Sequence, residues 1–241
     1  MTWLADGASA VIFDFFGTLT PGTPAEVWLN QASRVAAAMG VEEQALYAVY
    51  HDTYGERITG SLGDLPQTMQ ALAGRLGVRL TATQLAAACR VRRQDQRERF
   101  ALRPEAIGVI EWLRGRGLKI GVLSDCSVEL PEHWPAMPVS AVVDAAVFSC
   151  TAGFRKPDPR LFALVTGKLK VDAADCVYVG DGGGRELSGA RAAGMRAVLL
   201  ADGDWHTHAV RDKEENWDGA RISSLGALCR PDGPEMWESG V

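Results

Sequence analysis

Ala10-Val11-Ile12-Phe13-Asp14-Phe15-Phe16-Gly17-Thr18-Leu19 is the stretch on which the fold turns. Four apolar residues on consecutive positions, with no polar alternation, suit a strand buried on both faces of a parallel sheet. The run halts at an aspartate and a glycine turn. The same pattern recurs at Leu118–Leu123 before Ser124, at Ala141-Val142-Val143 with Ala146-Val147-Phe148, at Cys176–Val179 before Gly180-Asp181, and at Arg196–Leu200. Helical periodicity follows most of these runs. Strands alternating with helices imply right-handed βαβ units, hence an α/β fold with a Rossmann-like, doubly wound parallel sheet. Ligands of such sheets sit at the carboxyl ends of the strands, where Asp14, Ser124 and Asp181 would all lie.

Between the first two strands the pattern changes. From Pro24 to Phe100 helical signals dominate and no strand is expected. Thr23-Pro24-Ala25-Glu26 reads as a capping box with proline at the first helical position, opening a helix that stops at Gly40. A second helix begins near Glu42. A third follows Leu65-Pro66 to Gly77, and Thr81-x-x-Gln84 caps a fourth carrying Leu85, Cys89 and Arg92. This segment is too long for a crossover and reads as an inserted all-helical module. The expected division is 1–21 with 101–230 for the sheet domain, 22–100 for the helical module and 231–241 for a loose tail.

The chain has 241 residues, 47% of them apolar and 23% charged, and its net charge is −5. An acidic balance argues against nucleic acid as a partner, because phosphate-backbone binders carry a basic face. No stretch approaches the ~18 apolar residues of a membrane span. Met1–Gly7 lacks the charge and apolar core of a signal peptide. The five cysteines form no C-x-x-C pair, so a reduced, cytoplasmic setting is expected, with the thiols as core filler.

Four sequence features converge on the strand ends. They are Asp14, Ser124, Lys156 in Phe154-Arg155-Lys156-Pro157-Asp158-Pro159, and Gly180-Asp181 followed by Glu186. Carboxylates can hold a hard divalent cation, while lysine and hydroxyls can hold an anion. Taken in order, the set resembles the haloacid dehalogenase-like hydrolase superfamily. Asp14-Phe15-Phe16-Gly17-Thr18-Leu19 is similar to its first motif, Leu123-Ser124-Asp125 to its second, Lys156-Pro157-Asp158-Pro159 to its third and Gly180-Asp181-x-x-x-x-Glu186 to its fourth. The helical insertion resembles the family's C1-type cap. The resemblance implies a phosphatase of a small phosphorylated metabolite, with Asp14 as the nucleophile that becomes an aspartyl-phosphate. It implies Mg²⁺ held by Asp14, the Phe16 carbonyl and Asp181, with Glu186 ordering its waters. Thr18 and Ser124 would hydrogen-bond the phosphoryl oxygens and Lys156 would balance charge. A monomer or homodimer is expected.

Two positions depart from the family pattern. Phe16 stands where phosphatases of the family carry a second aspartate that protonates the leaving group, a contribution of about 10²–10⁴ in rate. Glu186 stands where aspartate is usual. Phe16 keeps two rival readings open: a 2-haloacid dehalogenase, whose halide leaves unprotonated, and a weakly active binding or regulatory protein. The dehalogenases hold the substrate carboxylate with an arginine early in the cap, and Arg34 is the only arginine on the first helix. Arg57, in the turn Glu56–Ser61, is a candidate substrate contact, with an ordinary solvated turn as the alternative. The run Arg90, Arg92, Arg93, Arg97 and Arg99 reads as a solvated helix face, Trp205-His206-Thr207-His208 as surface polar residues, and Gly182–Gly184 as a flexible segment beside Asp181.

Overall fold

The computed structural model describes residues 7–229; the expected tail, 231–241, lies outside them. Six parallel strands form one sheet: β1 (Ala10–Phe13), β2 (Lys119–Ser124), β3 (Ala145–Phe148), β4 (Cys176–Gly180), β5 (Arg196–Leu200) and β6 (Ala220–Ile222). Their order is β3-β2-β1-β4-β5-β6, so the chain reverses direction of growth beside β1. The crevice between β1 and β4 is therefore the switch point at which such sheets bind ligands. Parallel registers such as Phe13 opposite Val122 and Val179 align the strand ends there.

Every residue of β1 is buried because each face has its own cover. Val11 and Phe13 join Val122, Val179 and α6 (Ala106–Arg114) in one core layer. Ala10 and Ile12 join Tyr178, Leu187 and Phe162 in the other, under α9 (Pro159–Leu169) and α10 (Glu186–Ala192). Burying side chains of this size contributes roughly 1.5–3 kcal/mol each, which is why an unalternated apolar run specifies this position.

Between the loop that follows β1 and α6 come five α-helices, α1 (Ala25–Met39), α2 (Glu43–Asp52), α3 (Tyr54–Ile58), α4 (Leu65–Arg75) and α5 (Ala82–Arg99). They pack on a separate apolar cluster that includes Val35, Met39, Leu46, Met69 and Leu72. Gly40 ends α1 with φ of 73°, and Thr81 and Gln84 form the expected reciprocal cap of α5. The insertion closes against the sheet domain at several points. Ser149, opening α8 (Ser149–Ala152), donates to the Ile58 carbonyl at 2.6 Å. Gly60, at φ of 72°, passes so close to the Cys150 carbonyl that a Cβ would collide with it. Arg92 of α5 pairs with Glu129 of α7 (Glu129–His133) at 2.6 Å, both side chains buried.

Three local expectations are corrected. Ala141-Val142-Val143 is not strand: Pro138–Ala141 is a 3₁₀ turn, and Asp144 takes over the ladder edge, its carboxylate accepting from Ile120 N at 2.7 Å. Thr23 does not cap α1. Pro24 is extended and bridges to His208, while the Thr23 hydroxyl accepts from Arg99 Nε at 3.4 Å. β6 was not anticipated, since three residues are too few to show a period.

The Arg92–Glu129 pair generates a stability prediction. Arg92→Met leaves Glu129 buried and unpaired, and should cost about 3–5 kcal/mol in denaturant titration. Arg92→Met with Glu129→Leu should recover most of that loss. A small effect of the single substitution would show that Glu129 reaches water.

Candidate active site

β1 delivers Asp14 to the crevice, and the loop after it turns back at once. Thr20 N donates to Phe15 O at 3.0 Å, closing the turn. Gly17 has φ of 83°, and a Cβ there would drive into the Asp181 carboxylate, so this position admits glycine alone. Arg103 braces the loop from behind, donating to the Thr18 and Gly17 carbonyls at 2.9 and 3.1 Å while pairing with Asp202 at 2.6 Å.

The expected residues from four separate segments meet here. Lys156 Nζ donates to Asp14 Oδ1 at 2.6 Å and also to Glu186 Oε2. Glu186, fully buried, further accepts from the Tyr178 hydroxyl at 2.7 Å and from Gly182 N at 2.9 Å. Its contacts are thus with the lysine and the glycine turn. Asp181 accepts from Gly183 N at 3.0 Å. Carboxylate oxygens of Asp14, Asp181 and Glu186 lie within 4.8 Å of one another. Asp125 accepts from the backbone N–H of Lys156 at 3.0 Å. Thr18 Oγ1 and Ser124 Oγ are buried with no hydrogen-bond partner. Two unsatisfied hydroxyls cost free energy unless a ligand completes them.

Charge at this end of the cavity is unbalanced. Burial pushes Asp14 up to about 7 despite the opposing pull of Lys156. Burial, with Glu186 and Asp14 nearby, holds Asp181 well above the ordinary carboxylate range. Three buried carboxylates against one buried ammonium form a donor set suited to a hard divalent cation.

The site opens into a cavity of about 430 Å³ between the sheet ends and the helical insertion. Phe16 lines it, its ring edge-on to Phe15 at 5.0 Å. Arg57 also lines it, donating to the Tyr50 carbonyl at 2.7 Å. Arg34 does not: it pairs with Asp95 at 2.5 Å and Glu98 at 3.5 Å outside the cavity.

Several contributors escaped the reading of the sequence. The arginine run of α5 is only partly a solvated face: Arg90, Arg93 and Arg97 are exposed, but Arg92 is buried and Arg99 half-buried, and both line the cavity. The signal was there, since Arg92, Gln96 and Arg99 fall at i, i+4 and i+7 on one stripe. Trp205 and His208 are buried rather than superficial, and Trp205 Nε1 donates to the Asp181 carbonyl at 2.7 Å. Gly182–Gly184 is a structured turn, with Gly182 at φ of 86° and its N–H engaged by Glu186. Tyr178 read as strand filler, although a buried tyrosine hydroxyl needs a partner.

A model of the haloacid dehalogenase-like hydrolases matches residues 8–194. The chain belongs to this family and is a hydrolase. Among its relatives, the glyceraldehyde 3-phosphate phosphatase of Methanopyrus kandleri is 28% identical over 86% of this chain and 89% of its own. Phosphatase MT3486 of Mycobacterium tuberculosis is 34% identical over 54% of this chain, and the match spans 57% of that protein. Similar solved structures include a family phosphatase from Thermococcus onnurineus (TM-score 0.59, 19% identity, 91% and 95% of the two chains). The L-2-haloacid dehalogenase RSc1362 is as similar (TM-score 0.60, 20% identity, 92% and 97%), so this likeness bears on fold alone.

The charge imbalance predicts a pH dependence. Asp14 and Asp181 titrate higher in the folded chain than near 3.8, the ordinary value, so folding takes up protons between those limits. The stability they contribute is full below about pH 4 and is lost as pH rises through their raised folded values, about 7 for Asp14. Chelator-treated protein should therefore melt at a lower temperature at about pH 8 than at about pH 5.5. Asp181→Asn should raise the melting temperature at the higher pH and flatten the slope. A melting temperature that climbs over this interval would mean the carboxylates are already compensated.

Proposed function

We propose that the protein is a Mg²⁺-dependent phosphatase of a small phosphorylated metabolite, acting through an aspartyl-phosphate on Asp14. One observation carries the reading: three buried carboxylates and one ammonium converge beside two partnerless hydroxyls. Displacing halide from carbon calls for one carboxylate. A dianionic phosphoryl group beside a carboxylate nucleophile calls for compensating cations and for hydrogen-bond donors to its oxygens. Two of the matched relatives, from Mycobacterium tuberculosis and Methanopyrus kandleri, are named as phosphatases, which supports the same choice. Arg34, spent on Asp95 and Glu98, gives the dehalogenase reading no early-cap arginine.

In this reading Asp14 Oδ attacks phosphorus, the P–O ester bond breaks, and the leaving group departs with its electron pair. Water then attacks phosphorus, the P–O bond to Asp14 breaks and the carboxylate leaves with its electron pair, the proton of the water remaining with the phosphate released. Lys156 draws Asp14 toward its ionised form against the effect of burial and offsets the charge of the phosphoryl group. Thr18 and Ser124 donate to phosphoryl oxygens. Asp14, the Phe16 carbonyl and Asp181 would hold Mg²⁺, which when bound neutralises charge and aligns the phosphoryl group. Glu186 acts by holding Lys156 and the Gly182 turn in register, besides adding negative charge to the metal site. Of the described residues, 22–100 form the cap, and those within 1–21 and 101–230 form the catalytic domain.

Purified protein offered phosphate esters and 2-haloacids, with Mg²⁺ and with chelator, tests this directly. Phosphate release that requires Mg²⁺ and vanishes in Asp14→Asn, with circular dichroism unchanged, is the expected result. Halide release indifferent to chelator would establish the dehalogenase instead.

Phe16 carries no proton, so turnover should depend steeply on leaving-group pKa, with aryl and acyl phosphates cleaved much faster than alkyl phosphates. Phe16→Asp should accelerate alkyl phosphates by at most about 10²–10⁴. A flat dependence on leaving-group pKa in the wild type would show that another residue donates the proton.

A further inference from the structure

The two ends of the cavity differ in kind. Its acidic lining residues, Asp14, Asp125, Asp181 and Glu186, all belong to the sheet domain. The part contributed by α1–α5 presents Arg57, Arg92 and Arg99 and no carboxylate. Arg92 is neutralised by Glu129. Arg57 and Arg99 form no ion pair among the described residues. Arg57 donates to the Tyr50 carbonyl and the Thr53 hydroxyl. Arg99 donates to Gln96 Oε1 at 3.1 Å and lies over the rings of Phe16 and Trp28 at 4.4 and 3.8 Å. Burial, reinforced by Arg92, holds both guanidiniums below their ordinary value, Arg57 at about 10 and Arg99 at about 9, so each is charged at neutral pH without full compensation.

A second observation points the same way. Trp28 Nε1, Tyr50 OH and Gln96 Nε2, on three residues that line this end, are buried polar atoms with no hydrogen-bond partner. The Gln96 amide is oriented by the Arg99 contact to its oxygen, which leaves its NH₂ as the unpartnered group. Two cations and three groups able to donate, with no acid lining this end of the cavity and the nearby Glu129 and Asp95 already paired with Arg92 and Arg34, match a ligand rich in acceptors and negative in charge.

We propose that this end of the cavity is an anion subsite, in which Arg57 and Arg99 receive a carboxylate or a second phosphate borne on the leaving group of the substrate. The assignment rests on the phosphatase reading for the group at Asp14. It gives Phe16 a positive role: the ring forms the platform on which the Arg99 guanidinium lies.

The test compares affinities of non-hydrolysable phosphonates by calorimetry with Mg²⁺ present. Phosphonocarboxylates and bisphosphonates of increasing chain length are set against alkyl phosphonates of matched length. The expected result is that at least one doubly anionic ligand binds about tenfold or more tightly than its alkyl match. That advantage should shrink in Arg57→Met and in Arg99→Met, and return in part in Arg99→Lys. A larger gain for bisphosphonates assigns a second phosphate, and a larger gain for phosphonocarboxylates a carboxylate. Equal affinity across every matched pair, no binding of any phosphonate, or an advantage untouched by both methionine variants overturns the proposal. Hydrolysis of para-nitrophenyl phosphate is measured alongside. Turnover of that ester without an affinity advantage removes the subsite and leaves the phosphatase. An affinity advantage without turnover of any ester removes the phosphatase and leaves the subsite.

Discussion

Lys156 is the pivot of the structure. Its ammonium, buried beneath the insertion, donates to Asp14 and Glu186 together. An isolated buried ammonium or carboxylate would lose its charge, so these groups hold their state only in each other's company. The pairing also spans the chain, tying the loop after β1 to the loop before α9 and to the start of α10. The surroundings serve to keep that contact in place. Asp125 fixes the Lys156 backbone, Tyr178 and Gly182 fix Glu186, and Trp205 and Gly183 fix Asp181.

One positive charge among three carboxylates leaves a deficit, and the fold does not repair it with protein groups. Burial above all, with the neighbouring carboxylates adding to it, pushes Asp14 and Asp181 toward their neutral forms. Such local conflict is the pattern expected where stability is yielded to function. It accounts for the partnerless Thr18 and Ser124 hydroxyls as well, since a site built around an anion keeps its donors free. The helical insertion shows the complementary imbalance, with Arg57 and Arg99 unopposed by any acid lining their end of the cavity.

Much of this was legible in the chain. β1, β2, β4 and β5 read correctly because burial on both faces leaves an unalternated apolar run, a signal that is local and strong. Asp14, Lys156, Asp181 and Glu186 could be assembled because a parallel sheet sends its strand ends to one edge, so the order of the strands brings them together. The start of α5 was equally local, its cap being two side chains three residues apart. The readings that failed share a cause. Thr23 was drawn from its capping role by Arg99 and by the bridge between Pro24 and His208, partners distant in sequence. Trp205 and His208 look polar and superficial as a string, yet the loop after β5 folds under Asp181.

Composition and periodicity thus determined the doubly wound sheet and the helical run between its first two strands, because each rests on burial of near neighbours, and the strand order then brings Asp14, Lys156, Asp181 and Glu186 together. Only the tertiary structure decided which arginines of α5 face solvent and which face the cavity. That choice depends on how α5 docks against α7 and over Phe16, through Arg92 with Glu129 and Arg99 with Phe16 and Trp28. Helical periodicity puts Arg92 and Arg99 on one stripe, but the helix alone does not say which stripe is covered. The surface it meets supplies the difference, by burying Arg92 and Arg99 beside the site and leaving Arg90, Arg93 and Arg97 in water.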